Sequence, residues 1–282
     1  MLPPINYLII GHLSYDITPD GVRLGGTASY ASVTAHAFGK SVGIVTSWGE
    51  ESDLHLGQLK DIPLFSHPSP NSTSFKNIQT PHGREQILFN TANSLSFADI
   101  PTEWYPCPIV HIAPIVHEVH PEMIKQLSTS FIGITPQGWL RSWGEDGVIS
   151  LVNWDDFLQS VTFNNLQYAN AVVISDEDVG LSQPKIEDLA NHCPLLIVTQ
   201  GAKGARLFWQ GETSHVPAMN VSEKDPVGAG DVFASTFFIH FHKTQDIIKA
   251  AQIAAHIAAF SVTRSGQLSA PTQDEINFCL KD

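Results

Sequence analysis

Short, wholly apolar runs recurring between helix-patterned stretches leave this 282-residue chain few folds to choose from. Asn6–Gly11, Val42–Trp48, Ile109–Ile112, Phe131–Thr135, Ala171–Ser175 and Leu195–Thr199 are too continuously hydrophobic for half-exposed strands. They suit strands buried on both faces. Helix patterns lie between them: Thr27–Phe38, stopped by Gly39, then Pro121–Leu127, Asp155–Leu166 and Lys185–His192. This alternation predicts an α/β fold, a mostly parallel central sheet with helices on both faces. The C-terminal stretch reads as helical over Asp246–Thr263 and Gln273–Leu280.

Two segments break the rhythm. His12–Leu24 is polar with an alternating stretch, and Ser72–Asn90 alternates around Pro81-His82-Gly83. Both read as hairpins outside the main sheet. No repeat, low-complexity tract or linker demands a second domain, so residues 1–282 read as one domain carrying segments 12–24 and 72–90.

Charge narrows the function. Acidic residues outnumber basic ones 28 to 15, for a formal net charge of −13, and no Lys/Arg cluster offers a surface to nucleic acid. The apolar run Ile5–Ile10 is too short for a signal-peptide core or a membrane span. Cys107, Cys193 and Cys279 lie far apart in no metal-ligand spacing, which suits reduced thiols and a cytoplasmic protein. His117 and His120 are close but lack a nearby third ligand.

The chemistry concentrates in Asp225-Pro226-Val227-Gly228-Ala229-Gly230-Asp231, which runs into the apolar stretch from Val232 to Phe238. Glycines at 228 and 230 let the backbone turn and approach a ligand. The unpaired amides of a helix start then make an anion trap, with Asp231 beside it to take a proton from a hydroxyl. A Gly-Ala-Gly before a helix is also a common tight turn, and only its company decides between the two. Thr199-Gln200-Gly201-Ala202-Lys203-Gly204 follows a strand end, where α/β sheets bind ligands. Gly25-Gly26 opens the Thr27–Phe38 helix, Asp16 lies in the first hairpin, and Ser175-Asp176-Glu177-Asp178 follows another strand. A dinucleotide fold would want Gly-x-Gly-x-x-Gly after the first strand, but Gly11 is followed by His12-Leu13-Ser14.

Taken in order, these motifs resemble the ribokinase-like (PfkB) family of carbohydrate kinases, whose signature usually reads Asp-Thr-x-Gly-Ala-Gly-Asp; Pro226 stands in place of the Thr. The resemblance implies a ribokinase-like fold in which the two hairpin segments form a small β lid over the substrate. It implies Asp231 as catalytic base, with Gly228, Ala229 and Gly230 as amide donors to the transferring phosphoryl group. Asp16, Gly25 and Gly26 would hold the substrate. Tyr30 falls where the family has a sugar-binding Asn, and that contact is therefore open. Thr199, Gly201 and Gly204 would meet ATP, and Asp225 would anchor the loop, with a monovalent cation as a further candidate. Asp178 and Glu177 stand where the family has a carboxylate ordering the water shell of Mg²⁺. Arg84, in the second lid segment, and Arg141, closing Gln137-Gly138-Trp139-Leu140-Arg141, are candidates to meet a phosphate.

The implied partners are ATP and a small sugar or polyol. Leu24–Ser29, Gln137–Arg141, Ser175–Glu177 and Ser261–Gln267 are similar to the myo-inositol kinase branch. Ribokinase, fructokinase, ketodeoxygluconate kinase and nucleoside kinase are built from the same parts, and a non-catalytic polyol or nucleotide sensor is the reading from another class. An uncovered lid face is able to pair two copies into a homodimer.

Overall fold

The computed structural model describes residues 2–18, 21–49, 56–80 and 83–281, with backbone alone at 79, 80, 83 and 84. Strand β1 (Tyr7–Ile10) is wholly buried. The chain leaves the sheet for β2 (Ser14–Thr18) and β3 (Gly21–Gly25), then returns through α1 (Thr27–Ala37) to β4 (Val42–Gly49) and β5 (Leu64–Ser69). A second hairpin, β6 (Thr73–Thr80) and β7 (Gly83–Asn90), precedes β8 (Ile109–Ile112), α2 (Met123–Gln126) and β9 (Phe131–Ile134). The ribbon of β10 (Arg141–Ser142) and β11 (Ser150–Leu151) leads to α3 (Trp154–Leu158), α4 (Val161–Leu166) and β12 (Ala171–Ser175). Then come α5 (Gln183–His192), β13 (Leu195–Thr199), β14 (Ala205–Trp209) and β15 (Glu212–Val216). Helices α6 (Ala229–Thr244), α7 (Ile247–Ser261) and α8 (Gln273–Cys279) finish the described chain.

The main sheet has nine strands in the order β15-β14-β13-β12-β9-β8-β1-β4-β5. It is parallel from β13 to β5, with β14 and β15 added antiparallel. Successive side chains point to opposite faces. Leu8 and Ile10 therefore join Ile124, Phe157, Leu166 and Leu189 on one face. Tyr7 and Ile9 face the other way, with Ala28 and Ala31 of α1, while Phe237 and Ala254 cover the same face further along. Helices thus lie on both faces, as the alternation predicts, and each fully buried Leu or Ile contributes roughly 1.5–3 kcal/mol. Below the strand ends, His111 joins Tyr7 (3.2 Å) to Thr135 (3.0 Å) across three strands. Burial pushes this imidazole down to about 3, so it is neutral.

Chain order moves outward from β1 to β4 and β5, then restarts on the other side at β8. This switch opens a crevice above the carboxyl ends of β1 and β8. The four-stranded second sheet, β3-β2-β6-β7, is the only other sheet of more than two strands among the described residues. Its hairpins are antiparallel within themselves, but β2 and β6 join them in parallel, aligning Asp16 with Phe75. No helix among the described residues is long and apolar enough to cross a membrane.

Local chemistry corrects three expectations. The helix expected over Asp155–Leu166 is two helices, because Ser160 takes the Phe163 amide (3.1 Å) and starts a new one. That over Pro121–Leu127 shrinks to one turn. Strands β5 and β15 are additions: both are polar edge strands, and Pro68 is tolerated in β5 because an edge need not donate on its outer side.

Candidate functional site

The amino end of α6 is built by one continuous turn. Asp225 Oδ1 accepts from the Val227 amide (3.1 Å), while the amides of Lys224 and Asp225 donate to the Val262 carbonyl (2.8 and 3.0 Å), tying the turn to the end of α7. Gly228 caps the helix at φ 83°, a left-handed conformation that favours glycine. The Ala229 amide donates to Pro226 O (3.2 Å) and that of Val232 to Gly228 O (2.9 Å). Between them, no backbone acceptor among the described residues takes the amides of Gly230 and Asp231. Nothing lies within 4 Å of where a Gly230 Cβ would stand. These donors, at the positive end of a 16-residue helix, suit an anion.

Asp231 stands in the same turn. Burial pushes its carboxyl up to about 7; a hydrogen bond from the Thr27 hydroxyl opposes this, the Asp178 charge adds to it, and Arg141 pulls it down. A carboxylate that titrates near neutrality can take a proton from an alcohol and release it again. Thr27 had no role in the sequence reading beyond opening α1. Its place directly after Gly25-Gly26 was the available signal.

The second sheet brings Asp16 over this corner. A Cβ on Gly25 would lie 2.5 Å from Asp16 Oδ2, so the glycine makes room for the carboxylate. Asp16 pairs in register with Arg23, a residue the sequence reading passed over. Gly26 caps α1 at φ 85°, and its carbonyl takes the amide (3.0 Å) and hydroxyl (2.9 Å) of Ser29. Tyr30 is not placed as a small sugar-binding amide would be. It is a 5% exposed wall whose ring lies against Gly228: a Cβ there would sit 2.6 Å from two ring carbons. Its hydroxyl lies in the field of Asp16, then Asp231 and Asp225, and burial with these charges holds it protonated.

Arg141 joins the two sheets. Its guanidinium donates to the Ile115 carbonyl (3.0 Å) and lies 5.7 Å over the Phe75 ring. It acts electrostatically on both Asp178 and Asp231. Gln137 faces Asp178, donating to Oδ1 (3.2 Å), while Oδ2 takes the Ser175 amide (2.8 Å). Burial raises the Asp178 carboxyl, and these bonds and Arg141 oppose the rise. Glu177 is exposed. Both Asp178 oxygens being engaged, and no group of three metal-binding side chains occurring among the described residues, the donor set fits a metal only through its water shell.

The Thr199 hydroxyl donates to Ile174 O (3.2 Å) and Gln200 to Asp176 Oδ2 (3.2 Å), which joins the Thr199–Gly204 loop to the acidic one. Gly201 and Gly204 both have positive φ, 54° and 93°, and Gly201 stands in the open. The Arg84 backbone lies on β7 opposite Gln79, with its side chain outside the described residues. His117 donates to the Arg141 carbonyl (2.7 Å), a structural use in place of a metal ligand.

Glu118 escaped the sequence reading altogether. It is 2% exposed and accepts from the amides of His12 (3.0 Å), Ile115 (3.0 and 3.1 Å) and Val116 (2.9 Å), binding together the strand ends on both sides of the crevice. His12 in turn donates from Nε2 to Asn93 O (2.9 Å) and takes the Thr73 hydroxyl on Nδ1 (2.7 Å), fastening both hairpins to the base.

The model of the pfkB family carbohydrate kinases matches residues 25–273. A deoxyribokinase of Salmonella typhi is 40% identical over 83 residues, 29% of this chain and 27% of that protein. An inositol 3-kinase of Zea mays is 24% identical over 259 residues, 83% of this chain and 66% of that protein. These matches thus span less than two thirds of the relatives' own length. Among solved structures, a pyrophosphate-dependent kinase of the ribokinase family, complexed with a pyrophosphate analog and myo-inositol, superposes with a TM-score of 0.81 at 20% identity. That likeness covers 96% of this chain and 99% of the other, and the fold is ribokinase-like.

Proposed function

This chain belongs to the pfkB family of carbohydrate kinases, and from that premise we propose that it transfers the terminal phosphoryl group of ATP to a hydroxyl of a small polyol. One observation carries the reading: a carboxyl poised near neutrality, Asp231, shares a helix turn with unpaired amides. The acceptor oxygen attacks the terminal phosphorus as its proton passes to Asp231. The bond from phosphorus to the bridging oxygen breaks, and ADP leaves with that electron pair. The unpaired amides of Gly230 and Asp231 stabilise charge gathering on the phosphoryl oxygens, that of Ala229 being taken by the Pro226 carbonyl, and Arg141, across the crevice, adds a fixed cation. Asp16 orients the acceptor, and Thr199, Gly201 and Gly204 meet the donor. Asp178 and Glu177 would hold Mg²⁺ through its water shell, and the ion would supply charge neutralisation. Asp225, whose Oδ1 takes the Val227 amide, would hold a monovalent cation beside the turn. The lid excludes water, the competing acceptor.

The acceptor we favour is myo-inositol or a similar cyclitol, in keeping with the maize relative and the inositol-bound neighbour. Ribose, fructose, ketodeoxygluconate and nucleosides are the rival acceptors. The same neighbour supports a second reading of the donor, pyrophosphate in place of ATP. The test is phosphorylated-product formation from each donor with Mg²⁺ across that acceptor panel, with Asp231→Asn as control. Product from one donor–acceptor pair, lost in the control, upholds the proposal. No product from any pair leaves a non-catalytic binder, and full activity in Asp231→Asn removes it as base.

A further inference from the structure

Residues 143–149 leave the ribbon of β10 and β11 and return to it by way of the second sheet. There they run antiparallel to β7: the Leu88 amide donates to Gly147 O (2.8 Å), that of Ile149 to Gln86 O (2.9 Å), and Val148 bridges to Ile87. Strand β7 is the last of its sheet, so this strap pairs an otherwise open edge. Gly147 has a φ of 71°, and a Cβ there would collide with the Leu88 carbonyl, so the crossing needs glycine. Trp143 and Ile149 pack on the buried cluster of Phe75, Leu88, Ile115 and Val116.

Covering an edge accounts for the two backbone bonds, but not for what stands at the root of the strap. That residue is Arg141. The main sheet's loops hold it through His117 Nε2 on its carbonyl (2.7 Å) and through the Ile115 carbonyl, which takes Nη1 (3.0 Å). The second sheet holds it through the Phe75 ring beneath the guanidinium. Asp16 and Phe75 are in register on β2 and β6, so they share one face of that sheet. The backbone that offers a carboxylate to the acceptor is thus the backbone that seats the cation. We propose that Phe75 and the strap Gly147–Ile149 are positioning residues for Arg141, setting its guanidinium where the transferring phosphoryl group gathers charge. This rests on the kinase reading above and adds the parts that aim its cation. A cation helps the transition state only where it is already in place, so loosening either support lowers turnover and leaves acceptor binding alone.

The test measures kcat and acceptor KM for Gly147→Ala and Phe75→Leu, each made in wild type and in Arg141→Ala. Arg141→Ala alone is expected to lower kcat about a hundredfold, and Gly147→Ala and Phe75→Leu about tenfold each, with acceptor KM within about twofold. In the Arg141→Ala background neither should lower kcat further by more than about twofold, because the group they place is gone. Equal losses in both backgrounds mean a merely structural strap and overturn the proposal. So does a raised KM at unchanged kcat, or full kcat in Arg141→Ala. Each of these leaves the kinase reading standing, whereas a wild type that yields no product from any donor–acceptor pair removes both. Phe75→Leu, which keeps an apolar side chain in the cluster, keeps the test open should Gly147→Ala not fold.

Discussion

Two carboxylates stand near the carboxyl ends of the strands, Glu118 buried and Asp231 half-buried, and their surroundings treat them in opposite ways. At the junction of β1 and β8, Glu118 is saturated by amides from His12, Ile115 and Val116. At the start of α6, Asp231 receives one side-chain hydroxyl, from Thr27, and faces the charge of Asp178. Burial alone therefore does not make a base. The number of amides offered to it separates an acid held as a rivet from one left open to a ligand.

The largest way to break this contrast is Asp231→Asn. It should cut kcat by roughly 10²–10⁴, the range for a lost general base, in a steady-state assay. The same variant should be more stable than wild type at pH 8. Its carboxyl, raised from 3.8 to about 7 in the fold, makes stability fall as pH climbs between those values. The amide escapes that loss, for a gain of roughly 1–3 kcal/mol that vanishes below about pH 4 in denaturant titrations. Glu118→Ala should do the reverse. It strands amides at three positions and should cost roughly 3–5 kcal/mol in the same titrations. If Glu118→Ala folds normally and only slows catalysis, the contrast is wrong.

Finer tests use pH. In wild type, kcat/KM should fall about tenfold per unit below an acid limb near pH 7. A limb at 4–5 would mean that Asp231 is solvated during turnover. Thr27→Val deletes the hydroxyl that favours the ionised form, so that limb should move up by about one unit, readable from a pH–rate profile.

The same contrast explains what was legible in the chain. Asp225–Asp231 works through consecutive residues, so its turn and cap could be read directly, along with the carboxylate proposed as base. The buried runs of β1, β4, β8, β9, β12 and β13 announced the parallel sheet because both faces are covered. Glu118 could not be read, since its partners come from two strand ends 106 and 3 residues away in sequence. Arg141 was visible as a cation after a strand, but not its seat between Ile115 and Phe75. Edge strands β5 and β15 hid because one side faces solvent, which lets polar residues and Pro68 into them. The break at Ser160 hid because a local cap outbids a periodicity that continues through it.

The contact between Tyr30 and Gly228 also orders what mutation can reach. With the ring against that backbone, any side chain at 228 collides, and the positive φ penalises it further. A smaller residue at 30 removes the collision, so the two changes are non-additive and one must come first. In a drifting lineage position 30 must therefore change first, and even then Gly228 remains held by its positive φ.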